Sequence, residues 1–144
     1  TTVLTQLVIN NSRNQVAIAK AGAIQPLVEL LRSPGLLRPY NFIATISHLA
    51  DNNVDNQITI AKAGAIEPLK VFLTSGCPKT QAYAAVALSH LAIKNPNNQK
   101  AIVEAEAITP LVRLLNSDNE MTQENAEVVQ SFLDSLQTGH QPCC

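Results

Sequence analysis

The chain has 144 residues, 46% hydrophobic but only 3% aromatic with no Trp, and a formal net charge of −1. That is the length of one domain, with a core to be built from Leu, Ile, Val and Ala, and a charge balance too even for a nucleic-acid surface. No run approaches the roughly 20 apolar residues of a membrane span. Three cysteines without a C-x-x-C pair argue against a disulfide framework and for an intracellular, reducing setting, cytoplasmic rather than nuclear.

The first residues, Thr1-Thr2-Val3-Leu4, carry no basic leader before an apolar run, so no signal peptide is expected. Position 1 is not Met, as in a processed chain or a piece of a longer one. Residues 1–12 match only the end of a helix that recurs further on, with Thr5-Gln6-Leu7-Val8 in the place of Ser47-His48-Leu49-Ala50. The next unit, 13–54, reads as three helices. A short one spans about Asn14 to Ala21 and ends at Gly22, where a left-handed residue turns the chain. A second runs from about Ala23 to Leu31, with Pro26 in its first turn and Leu27, Leu30 and Leu31 as an apolar stripe. After Ser33-Pro34-Gly35 a third is expected over Arg38–Ala50, ended by Asp51-Asn52-Asn53.

The unit then repeats every 42 residues: Asn14-Gln15, Asn56-Gln57 and Asn98-Gln99; Pro26, Pro68 and Pro110; Ser47-His48-Leu49, Ser89-His90-Leu91 and Ser131-Phe132-Leu133. Ile18 to Ile24 recurs unchanged as Ile60 to Ile66. Three landmarks with one period define an internal repeat, so 55–96 and 97–138 are two further units, with third helices expected over Lys79–Ala92 and Met121–Leu136. Residues 1–138 are read as a single domain and 139–144 as a tail. In the third unit Glu106 replaces Gly22 and Gly64. Either it adopts positive φ at a cost of about 1 kcal/mol, or the turn differs there. Leu49 and Leu91 are equivalent interior positions. The last helix carries Met121, Val128, Val129, Phe132, Leu133 and Leu136, apolar on more than one face, which suits a chain that stacks on something further.

These units resemble the armadillo repeat family. The resemblance is carried by Asn98-Gln99-x-x-Ile102-Val103-Glu104-Ala105, by Ala21-Gly22-Ala23-Ile24-x-Pro26-Leu27-Val28-x-Leu30-Leu31, and by Ala84-Ala85-Val86-Ala87-Leu88-Ser89-His90-Leu91-Ala92, and it extends to about Leu136. It implies an all-α, right-handed solenoid of three-helix repeats whose third helices line a concave groove for an extended segment of another protein. In the family, two groove positions are usually Trp and Asn. Here the Trp positions are Ala44, Val86 and Val128, and the Asn positions are His48, His90 and Phe132, preceded by Gln6. One turn earlier lie Asn41, Tyr83 and Asn125. Without Trp slots or Asn clamps the groove is expected to be shallow, and binding of nuclear-localisation peptides is not implied.

The expectation is therefore a non-catalytic protein-interaction module. The alternative is an assembly subunit stacked through its solenoid ends in a homo-oligomer or larger complex. Partners are a protein or extended peptide; nucleic acid, small-molecule substrates, membrane and cofactors are not expected. No G-x-S-x-G, P-loop or H-E-x-x-H occurs. His48 and His90 are read first as polar groove or helix-capping residues and second as partner contacts. A shared metal is disfavoured, because helices pack about 8–10 Å apart and each Zn–N bond is about 2.0 Å. Cys77 lies in an inter-helix break before Pro78, and Glu104 and Glu106 form a solvated edge. The Asn-rich Asn10-Asn11, Asn52-Asn53 and Asn97-Asn98 are turn and cap residues. The terminal Cys143-Cys144 resembles a double-prenylation end, but nothing else here looks like a GTPase, and the tail is expected to be unstructured.

Overall fold

A computed structural model describes residues 2–9, 11–33, 35, 38–117 and 123–139. Among these residues there are ten helices: α1 Thr2–Val8, α2 Ser12–Lys20, α3 Ile24–Leu31, α4 Pro39–Ala50, α5 Val54–Lys62, α6 Ile66–Phe72, α7 Pro78–Ala92, α8 Pro96–Glu104, α9 Ile108–Leu115 and α10 Gln123–Gly139. Helices α1, α4, α7 and α10 pack side by side in that order, forming the spine of an α-solenoid. Met121, Asn10, Pro34 and the tail from His140 lie outside the described residues.

The short helices begin two residues before the expected position because Asn11 starts the first of them. Its side-chain oxygen accepts the Asn14 N–H at 3.0 Å, and Asn53 and Asn95 do the same for Asn56 and Asn98. Each such cap satisfies one of the backbone donors that a helix start leaves orphaned.

The Asn-Gln landmark closes the preceding third helix. Asn14, Asn56 and Asn98 donate Nδ2–H to the carbonyls of Leu7, Leu49 and Leu91, at 2.6, 2.9 and 2.8 Å. Gln15, Gln57 and Gln99 donate to Val8, Ala50 and Ala92. Two of these side chains also bridge repeats: Gln15 reaches the His48 carbonyl and Gln57 the His90 carbonyl, both at 2.9 Å. Asn56 and Asn98 add bonds to the Gln15 and Gln57 carbonyls of the preceding unit. Last-turn carbonyls have no partner inside their own helix, so the repeat places an amide pair where the orphans are, and the same pair stitches one repeat to the next.

The turn at Glu106 keeps the geometry of its glycine counterparts. Its φ is +62°, against +83° at Gly22 and +88° at Gly64. The backbone bonds match too, with Ala107 N–H to the Ile102 carbonyl and Ala23 N–H to the Ile18 carbonyl. The third unit therefore carries a non-glycine residue in the left-handed region rather than a different turn.

The core is one apolar cluster running through the solenoid, with Ile43, Ile46, Leu49, Leu88, Leu91, Leu111 and Val129 fully buried. The two ends differ. On α10, Glu127, Gln130 and Asp134 are exposed. They occupy the places where α4 and α7 bury Ile43 and Ala85, Ile46 and Leu88, and Ala50 and Ala92. Val129 and Phe132 are buried and Val128, Leu133 and Leu136 half-buried, while the face carrying Glu127, Gln130 and Asp134 is polar. On α1, Val3 is 72% and Leu7 47% exposed, although Leu49 and Leu91, which correspond to Leu7, are fully buried.

Candidate functional site

Helix α7 is buried on most of its surface. Beyond its exposed first residue and the half-buried Gln81, its accessible side chains fall on one line: Lys79 exposed, Tyr83 and His90 half-buried, and Val86 at 7% exposure between them. Spacings of four, three and four residues put these on one helix face. On α4 the matching line is Asn41 and His48, half-buried, around Ala44 at 7%. On α10 it is Asn125 and Val128, half-buried. The small side chains of Ala44 and Val86 form the floor.

Phe132 does not belong to this surface. It is 2% exposed and sits in the core cluster, so the expectation that it lines the groove is corrected. Its counterpart His90 turns its ring back onto the neighbouring helix, with Nδ1 2.9 Å from the Ser47 hydroxyl and 3.1 Å from the Ser47 carbonyl. A carbonyl only accepts, so the bond to it requires the proton on Nδ1.

His48 is placed differently. Thr5 stands where Ser47 would serve its ring, and the Thr5 hydroxyl bonds Thr45. Burial lowers the His48 pKa below its usual 6.5, the charge of His90 lowers it further, and Asp51 partly opposes both. At neutral pH the ring is thus held in its neutral form.

A feature that position-matching missed stands at the start of α4 and α7. The rings of Tyr40 and Tyr83 stack with centroids 6.4 Å apart and planes 20° from parallel. The Lys79 ammonium lies 4.2 Å from the Tyr40 ring centre. Tyr40 and Tyr83 are 43 residues apart, as are Ser47 and His90. One repeat plus one residue is the offset at which these pairs meet across α4 and α7, and reading the chain at that offset would have found the pair.

Among the described residues no group of three or more His, Cys, Asp and Glu is placed to hold a metal ion, and Cys77 is an exposed thiol before α7. A hollow of about 470 Å³ lies elsewhere, between α8 and α10, lined by Pro96, Gln99, Val103 and Leu136 among others. Its rim carries an exposed Lys100–Glu104 pair at 3.9 Å. Among the described residues no helix is long and apolar enough to cross a membrane.

Comparison with known proteins agrees with this architecture. The armadillo/beta-catenin-like repeat family matches residues 53–93 and 95–126, just over half of the chain. The chain belongs to the armadillo repeat family. No curated protein sequence matches it. Among solved armadillo structures, a designed armadillo repeat protein superposes with a TM-score of 0.82 at 27% identity, covering 91% of this chain and 55% of that one. Another designed armadillo protein, in complex with the peptide (KR)4, gives 0.79 at 23%, covering 95% and 61%. The armadillo repeats only protein from Plasmodium falciparum gives 0.76 at 24%, covering 94% and 58%. The chain thus spans little more than half the length of these armadillo structures.

Proposed function

We propose that this chain is a non-catalytic interaction module, a single domain over 1–138, that holds an extended segment of another protein along the third helices. The binding residues are Asn41, Ala44, His48, Tyr83, Val86, His90, Asn125 and Val128. The observation that carries this reading is the accessible line on α7. A mostly buried helix leaves Lys79, Tyr83 and His90 accessible on one face, around the buried Val86 and beside the matching line of α4. Such a strip suits an extended chain, whose side chains also repeat at short regular intervals. That a designed armadillo protein of this fold is solved with a peptide bound supports the partner class. Three cysteines without a C-x-x-C pair support an intracellular, reducing setting, and cytoplasmic rather than nuclear placement is part of the same proposal.

The test uses a peptide selected from a random library against the whole chain. Tyr83→Ala should weaken its binding at least about tenfold, or 1.4 kcal/mol, while Val103→Lys, on an exposed site of α8, should leave it unchanged. Equal binding by both variants rejects the groove.

A second reading, stacking through an end, is favoured at the α1 end alone, where Val3 and Leu7 are exposed. It predicts self-association that Leu7→Lys abolishes, read by sedimentation velocity; a monomer at all concentrations rejects it.

A further inference from the structure

We infer that the segment bound along the third helices is acidic; this rests on the groove reading above. Helices α4 and α7 contain no Asp or Glu, and their one Lys or Arg is Lys79. Arg38 adds an exposed guanidinium just before α4. Among the described residues Lys79 has no carboxylate within 4.0 Å. The acidic residues described on α10, Glu127 and Asp134, stand at positions corresponding to the buried inner residues of α7, which places them on the outer end rather than in the groove. Asp51, the residue after α4, acts on His48 by raising its pKa, and its counterpart after α7 is the uncharged Ile93.

The Lys79–Tyr40–Tyr83 stack sharpens the selection. An aromatic face in a groove ordinarily attracts a cation, and two stacked tyrosines without a lysine would invite a basic peptide. Here the chain's own ammonium sits over the Tyr40 ring at 4.2 Å. A partner's Lys or Arg approaching the pair meets a like charge, whereas a carboxylate meets a cation beside two phenol hydroxyls able to donate hydrogen bonds. Repulsion of the wrong partner is as much a part of specificity as attraction of the right one. The groove is thereby opposite in preference to that of the designed relative solved with (KR)4.

The experiment selects peptides from a random library on the whole chain and retains those whose binding Tyr83→Ala weakens. These should be enriched in Asp and Glu. Their affinity should fall about fivefold in Lys79→Glu, less in Lys79→Gln, and should weaken as salt rises, because exposed charges are screened beyond about 10 Å at 0.1 M. Unchanged denaturation midpoints in both variants exclude a folding defect. Groove-dependent peptides enriched in Lys and Arg, or without charge bias, overturn the inference and leave the groove standing. Peptides indifferent to Tyr83→Ala overturn the groove and the inference together.

Discussion

Replacing Asn98 by Ala removes a stitch between two repeats at a site where its cost can be worked out. The Asn98 amide donates to Leu91 O at 2.8 Å and Gln57 O at 3.1 Å, both in buried surroundings. Leu91 O belongs to the last turn of α7 and has no partner within that helix. Each bond contributes about 0.5–1.5 kcal/mol net, and a buried acceptor left without a donor costs about 1–3 kcal/mol. Asn98→Ala should therefore destabilise by about 2–3 kcal/mol. The internal control is Asn14→Ala. Asn14 makes one such side-chain bond, to Leu7 O, in an exposed position, so its loss should cost about 1 kcal/mol or less. Urea denaturation followed by circular dichroism measures both. Equal midpoints for the two variants, or an unchanged midpoint for Asn98→Ala, would refute the claim that the amide pair holds the repeats together.

Other outcomes follow from the same structure. Glu106→Gly should raise stability by about 1 kcal/mol or less, since φ is +62° there and glycine carries no Cβ penalty; a lower melting temperature would contradict it. Leu91→Ala, at a fully buried site, should cost about 2–5 kcal/mol, and Leu7→Ala, at the equivalent but exposed site, far less; similar losses in denaturation would show the two ends to be alike. The folded His48 pKa lies below 6.5, so between the two values the unfolded chain holds more protons. Its contribution is therefore intact above pH 6.5 and lost as pH falls below it. His48→Gln should flatten that part of the stability–pH curve, and an unaltered slope would mean that another group is responsible.

The period of 42 made the architecture legible, because Asn98-Gln99, Pro110 and the Leu49/Leu91 pair each answer to a local physical need that recurs with the repeat. Helix starts moved by two residues because Asn11, Asn53 and Asn95 act before the landmark pair. The site was less legible. Position-matching put Phe132 with His48 and His90, but whether a ring at that position stays accessible is a tertiary property, and Phe132 is buried in the core. The Tyr40–Tyr83 stack escaped because it joins two different positions of the repeat. The polar end of α10 was hidden for a related reason. Val128, Val129, Leu133 and Leu136 draw the eye, and only comparison with buried Ala85, Leu88 and Ala92 shows that Glu127, Gln130 and Asp134 replace core.

The central claim is that the third helices, and not the solenoid ends, receive the partner. The most direct measurement is a titration of the isotope-labelled chain with a library-selected peptide, followed by backbone amide chemical shifts. The account predicts that the largest changes map to Asn41–His48, Lys79–His90 and Asn125–Val128. Changes concentrated instead on Val3 and Leu7 of α1, or on Gln130 and Asp134 with α4 and α7 silent, would contradict it.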